Sequence, residues 1–231
     1  EELKHRVACE SCPGYGSWGG MVTYNTMQTF IGVMGLEPLH MVAPPSDDPR
    51  RMQLFPDELI DFLVKMIENN VTPRDIVNRD SIRNAMIVAM AVGGSTNVLL
   101  HGPEIARAAG FGDFAKDIMT PQEFNHLSES VVPVLIDARP FGNYSMVDID
   151  EKGGIQVIVK ELLDAGLLNG NTLTCTGETL SEQIRRLSPP PPDGDVIYTV
   201  EKPYKPTGGL RVLGGNLSPE FSSVPVSYTH L

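Results

Sequence analysis

Long apolar runs are missing from this chain of 231 residues. No stretch approaches the eighteen or so consecutive apolar residues that a membrane-crossing helix needs, which excludes a helical span. Absent too is a basic start followed by an apolar segment, so nothing in the sequence signals secretion. Basic residues are outnumbered, 18 Lys and Arg against 29 Asp and Glu, for a net charge of −11. Nucleic-acid binding draws on clustered Lys and Arg that neutralise phosphates, and the chain has no such cluster. Neither nucleic acid nor membrane is therefore expected as a partner. Cysteine is rare: Cys9 and Cys12 stand close together and Cys175 is remote. An odd count without a signal argues against a disulfide framework and for a reducing, cytoplasmic setting. No internal repeat is present. The chain opens on Glu1 rather than Met, as expected of a fragment or a processed protein.

What is present is ordinary for a folded protein, with 41% hydrophobic and 20% charged residues, enough to bury a sizeable core. Apolar residues recur at helical spacing from Gly20 to Leu36, a pattern closed by Gly35 and Pro38. Phe55 to Asn70 carries a stripe of Leu59, Ile60, Phe62, Leu63, Met66 and Ile67 behind Pro56 and two acids, which predicts an amphipathic helix. The segment after Asp80, SIRNAMIVAMAV, is apolar on nearly every face and reads as a buried helix with Asp80 as its cap. GGSTN (Gly93 to Asn97) interrupts it, and a further helix runs through Ile105 to Gly110. TPQE at Thr120 to Glu123 and TLSE at Thr179 to Glu182 have the spacing of capping boxes. GGIQVIVKELLDAGLL is another helix, ended by Gly166.

Val131 to Asp137 and Asn171 to Thr176 read as strands between these helices. Strand and helix in alternation predict an α/β, layered architecture. SPPPPDGD (Ser188 to Asp195) is an extended linker stiffened by proline. Beyond it the texture changes to short β-like runs with paired glycines. The expected organisation is therefore an α/β domain over 1–187, a linker over 188–195, and the first strands of a β-barrel-like domain over 196–220 that the chain does not complete. Residues 221–231 stand apart from both.

The most unusual stretch is CPGYGSWGGM, from Cys12 to Met21. Glycine-rich turns leading into a helix let backbone N–H groups approach a ligand closely, and a helix start favours negative charge. A thiolate near such a turn is stabilised in the form that binds metals, with zinc, copper(I) and iron–sulfur clusters as the soft-ligand choices. Cys9 and Cys12 alone do not make a zinc ribbon, which needs a second pair, and two half-buried structural cysteines are an equal reading.

Five blocks resemble, in order, the dihydroxy-acid and sugar-acid dehydratase family: SCPGYGSWGGMVTYNTM, PRDIVNRDSIRNAMIVAMAVGGSTNVLLH, VPVLIDARPFGNYSMVDIDEKGGI, VKELLDAGLLNGNTLTCTGETL and KPTGGLRVLGGNLSPE. Together they cover most of the chain from Ala8 to Glu220. The resemblance implies a hydro-lyase that removes water from 2,3-dihydroxy carboxylic acids to give 2-oxo acids, with a small hydroxy acid as substrate and a homodimer as the assembled form. GLLNGNTLTCTGETL leans toward the branched-chain amino-acid pathway; dehydration of an aldonic acid is the alternative. The resemblance further implies an iron–sulfur cluster, acting as Lewis acid on the departing hydroxyl, and a magnesium ion that grips the substrate. Most of the residues that serve these groups would lie before Glu1 or beyond Leu231, so no magnesium ligand and no catalytic base is expected within this chain.

One cluster cysteine should stand between Ser17 and Gly19, where the sequence has Trp18. Three readings follow: a sequence error, since one misread base turns a cysteine codon into a tryptophan codon, a homologue that lost its cluster and its activity, or replacement of the ligand by Cys12. An indole supplies no thiolate. Ser95, Thr96 and Asn97 open a helix where hydroxyl and backbone donors could meet a substrate carboxylate, or where Ser95 simply caps. Thr23, Asn25 and Thr26 follow the bend as further lining candidates or as a polar helix face. His40 and His101 are expected in capping or surface roles for want of a partner carboxylate, and Asp148 and Asp150 in loop and cap chemistry.

Overall fold

The computed structural model describes residues 1–10, 19–45 and 47–226, without the side chains of Glu10, Glu220 and Phe221. The described chain is mostly helical. Its helices are α1 (Glu2–Glu10), α2 (Thr23–Met34), α3 (Pro49–Gln53), α4 (Phe55–Glu68), α5 (Pro73–Ile76), α6 (Arg79–Ala91) and α7 (Val98–Ala108). They continue as α8 (Phe114–Asp117), α9 (Pro121–Ser130), α10 (Met146–Glu151), α11 (Ile155–Asp164) and α12 (Leu180–Leu187), and the chain ends in strands β1 (Leu210–Gly215) and β2 (Ser218–Pro225).

At the centre lies α6, buried from Ala85 through Ala91 without a break. An apolar helix of this kind has no solvent face to offer and is stable only when neighbours cover it on every side. Here α2, α7, α9 and α11 do so. The cap of α6 is Asn78 rather than Asp80. Asn78 is extended, at φ −130° and ψ 178°, and its side chain accepts from Ser81 N while Ser81 Oγ accepts from Asn78 N at 2.9 Å. That leaves Asp80 inside the first turn, where its carboxylate accepts from Asn169 Nδ2 at 2.8 Å. Of the two capping-box expectations, Thr179 and Glu182 cap each other reciprocally, whereas Thr120 accepts from Glu123 N and the Glu123 carboxylate pairs with Arg83. Helix α2 closes on Gly35, left-handed at φ 99°. A Cβ there would lie 2.7 Å from Leu173 O, so close approach and conformation both require glycine.

The layered α/β expectation survives only in traces. Residues 131–137 form no continuous strand: Val134 bridges Lys205 and Ile136 bridges Ile197, both antiparallel. Between them Leu135 N–H goes to Ala91 O at the end of α6, so one donor that a ladder would use is taken by a helix end. The preceding Pro133 has no N–H to give. Leu173 likewise makes a single bridge, to Thr179. The only sheet among the described residues is the antiparallel pair β1–β2, in which Leu210 faces Pro225 and Val212 faces Ser223. Past the prolines, Val196, Ile197 and Leu210 are buried in the same apolar core as the helices. Strand β1 is fastened to α9 by one amide: Asn125 Nδ2 donates to Val212 O and Asn125 Oδ1 accepts from Val212 N, at 2.7 and 2.9 Å. No helix among the described residues is long and apolar enough to cross a membrane.

Candidate functional site

The glycine-rich bend itself, with Cys12 and Trp18, lies outside the described residues. Its exit does not. Gly19 and Gly20 are held from both sides by the loop that leads into α10: Met21 N donates to Arg139 O at 2.7 Å and Met146 N donates to Gly19 O at 3.1 Å. A Cβ on Gly20 would stand 2.8 Å from the Arg139 carbonyl oxygen, so the contact needs the bare backbone. The loop is shaped in turn by Asp137, which is 4% exposed and whose carboxylate accepts from Asn143 N and Asn143 Nδ2, both at 2.8 Å. Sequence reading singled out neither Asp137 nor Asn143. The signal was the turn-rich run DARPFGN, which places an acid where a tight loop must return.

From this anchored exit α2 begins, and its start meets the start of α7. Val22 at the α2 cap position and Asn97 at the α7 cap position make no side-chain capping bond. Instead, the polar side chains bond to one another. Asn97 Nδ2 donates to Thr23 Oγ1 at 2.7 Å and to Ser95 Oγ at 3.2 Å, and the Thr23 and Ser95 hydroxyls are 3.2 Å apart. Ser95 Oγ also accepts from Asn97 N at 3.3 Å, and Ser95 N donates to Thr26 Oγ1 at 3.0 Å. Each hydroxyl has one proton, and only one of the pair can donate to the other. The second proton remains free to point at a ligand. The first N–H groups of α7 are already bonded, Val98 N to Ser95 O, Leu99 N to Thr96 O and Leu100 N to Asn97 O, so an anion here would be met by the hydroxyls and by the start of α2.

The candidates thus separate. Thr23, Ser95 and Asn97 come together at half-buried positions, with Thr26 buried behind them. Asn25 is buried and turned back, its Nδ2 on Gly20 O at 2.8 Å, where it braces the bend exit. Thr96 and Asn97 also line a groove of about 580 Å³, together with apolar Leu99, Pro103 and Phe124 and polar Asp113, Thr120, Ser222 and Ser223.

Away from this region, His40 does have a carboxylate partner. Its Nε2 is 2.6 Å from Glu58 Oε2, and its ring meets Phe55 edge-on. The partner was invisible in sequence because it arrives from a different helix, α4. His101 is exposed on α7. Asp148 closes a capping box with Ser145, whose hydroxyl and N–H hold its carboxyl below the usual range, and Asp150 accepts from Arg50 Nη2 at 2.5 Å. Cys175 is buried, and desolvation pushes its thiol up to about 11. Among the described residues no three His, Cys, Asp or Glu side chains converge in a way that could hold a metal ion. The described part of the chain therefore supplies no complete ligand set for either a cluster or magnesium.

Comparison with known proteins adds to this geometry. The family described as dihydroxy-acid/6-phosphogluconate dehydratase N-terminal matches residues 1–183. Among similar curated proteins, the dihydroxy-acid dehydratase of Leifsonia xyli subsp. xyli is 44% identical over 220 residues, covering 95% of this chain and 37% of that protein. The dihydroxy-acid dehydratase of a Nocardioides species is 42% identical over 93% of this chain and 36% of its own length. That of Mycobacterium leprae is 40% identical over 90% of this chain and 36% of its own length. The chain spans little more than a third of the relatives it matches.

Proposed function

The chain belongs to the dihydroxy-acid/6-phosphogluconate dehydratase N-terminal family, and from that premise we propose that it is part of a hydro-lyase acting on 2,3-dihydroxy carboxylic acids. Its own contribution is one wall of the substrate site. The observation that carries this reading is the meeting of the α2 and α7 starts at Thr23, Ser95 and Asn97, directly after the anchored exit of the bend. In this role the free hydroxyl proton and the start of α2 hold the substrate carboxylate, the first N–H groups of α7 being bonded already. Asn97 fixes the two hydroxyls so that neither rotates away, and Asn25 and Arg139 keep the bend exit in place. Of the two substrate classes, the GLLNGNTLTCTGETL segment leans toward a branched-chain dihydroxy acid over an aldonic acid.

The iron–sulfur cluster and magnesium of the family belong to the complete protein in this reading, as do the cytoplasmic setting and the homodimer. A second reading is favoured by Trp18 alone: a homologue without a cluster that no longer turns over substrate.

The test is a segment exchange. Residues 9–220 replace the matching segment of the Leifsonia xyli relative, once as they stand and once with Trp18→Cys. The proposal expects the Trp18→Cys chimera to bind iron on anaerobic reconstitution and to dehydrate 2,3-dihydroxyisovalerate. Adding Asn97→Ala should raise its KM at least tenfold. A soluble, folded Trp18→Cys chimera that takes up no iron would overturn the proposal. Iron and turnover in the chimera that keeps Trp18 would overturn the second reading.

A further inference from the structure

The sequence places glycine directly after asparagine at a single point, Asn169–Gly170, in the turn between α11 and α12. Glycine has no side chain to shield its N–H, so it leaves the carboxamide before it open to attack from the main chain. The fold holds that glycine in place. A Cβ on Gly170 would lie 1.8 Å from Ser181 Oγ and 3.0 Å from Ser181 Cβ, and Ser181 N donates to Gly170 O at 2.9 Å. Packing against α12 therefore retains the residue that makes its neighbour reactive.

Asn169 is exposed, and its polar groups fasten the turn to the start of α6. Its Nδ2 donates to Asp80 Oδ2 at 2.8 Å. Its main chain is clasped by one amide: Asn169 N donates to Asn84 Oδ1 at 2.9 Å and Asn84 Nδ2 donates to Asn169 O at 2.8 Å. Asn171 N donates to Asn169 Oδ1 at 3.0 Å, an Asx turn that folds the carboxamide over the following peptide and polarises its carbonyl. Gly170 N makes no hydrogen bond among the described residues. An unspent main-chain nitrogen thus stands beside a polarised carboxamide carbon.

We propose that Asn169 is a site of spontaneous covalent modification in which Gly170 N attacks Asn169 Cγ. Solvent base takes the Gly170 proton, the N–Cγ bond forms, and the Cγ–Nδ2 bond breaks as Nδ2 takes a proton from water and leaves as ammonia. Water then opens the five-membered imide at either carbonyl, giving aspartate or isoaspartate. The net change is one water gained and one ammonia lost, with no oxidant or cofactor. Both products undo the fastening. A carboxylate at position 169 faces Asp80 where an N–H donor stood, and like charges so close repel. Isoaspartate also reroutes the main chain through Cβ and Cγ, so the carbonyl that Asn84 holds leaves the main chain. This inference does not rest on the proposed chemistry.

The experiment ages the 231-residue chain in mildly alkaline buffer and follows each asparagine by peptide mass spectrometry, with an isoaspartate methyltransferase as second detector. Asn169 is expected to convert at least tenfold faster than the exposed Asn143 and Asn216, which precede Tyr144 and Leu217. The aged chain should unfold at lower urea than the fresh one. Asn169→Asp should show a fall of the same sign, and adding Asp80→Asn should recover at least half of it. Should Asn169→Asp fail to fold, fresh against aged chain decides alone. Conversion of Asn169 no faster than that of Asn143 or Asn216, or conversion that leaves the urea midpoint unmoved, would overturn the proposal.

Discussion

Asn97 Nδ2 donates to Thr23 Oγ1 across 2.7 Å, joining the start of α7 to the start of α2 over 74 residues of sequence. The bond holds two helix starts together through side chains rather than backbone. It therefore contributes to stability and to the shape of the candidate site together. Replacing Asn97 by Leu leaves the Thr23 and Ser95 oxygens without their donor and is expected to cost about 1–3 kcal/mol. Thr23→Val should cost less, and the two changes together should fall short of their sum by about 1 kcal/mol. Urea unfolding of the four proteins measures this; strict additivity would show that the pair is not coupled.

Gly94 is the second test of the same junction. A Cβ built on it would lie 2.5 Å from Thr26 Cγ2 and 2.9 Å from Thr26 Oγ1. Gly94→Ala is expected to destabilise by about 1–3 kcal/mol through overpacking. Thr26→Ser in the same chain removes the nearer atom while keeping the hydroxyl that accepts from Ser95 N, and should recover part of the loss. No recovery would mean that the strain lies elsewhere.

Cys175 and Cys9 should behave oppositely toward alkylating reagents. Cys9 is exposed, whereas Cys175 is buried with its thiol pushed up to about 11. In the native protein near neutral pH, peptide mass spectrometry should find Cys9 modified and Cys175 intact until denaturant is added. The same shift has a sign for stability. The folded state favours the neutral thiol, so this contribution is complete below the ordinary value near 9 and is lost as pH rises toward 11. Cys175→Ala should flatten that part of the alkaline limb, and an unchanged limb would assign it to other groups.

Tyr144 offers a spectroscopic check on the loop that anchors the bend. Its hydroxyl donates to Asp195 Oδ2 at 2.7 Å, and that bond, with the charge behind it, holds the phenol up at about 12. Asp195→Asn should bring one tyrosine back toward 10 in a tyrosinate absorbance titration. A titration curve that does not move would sink the assignment of this contact.

Helices were legible in the sequence where their signals are local. Thr120 with Glu123, Thr179 with Glu182, and Gly35 after the α2 pattern each specify an end within a few residues. The helix predicted over Phe55 to Asn70 is α4, though the stripe that announced it turns four of its six apolar residues to solvent. Periodicity reports that a face is apolar and says nothing about what covers it. Strands were poorly legible for a related reason. The apolar run at Val131 to Asp137 is buried as expected of a strand, but its donors and acceptors are divided between a helix end and two separate partners. No pattern within the run records that division. Of the candidate site, the polar residues could be picked out as types near glycine-rich breaks. That Thr23 and Asn97 touch, and that His40 finds Glu58, are facts about how helices cross.

The pair of backbone bonds at Gly19 and Met21 has a bearing on inheritance. Because Gly20 passes the Arg139 carbonyl where no Cβ fits, any side chain at position 20 must displace the loop, even though more than a hundred positions of chain intervene. A lineage is therefore free to vary the side chains of residues 137–146 that the main-chain bonds ignore, while position 20 stays glycine for as long as the loop keeps its path.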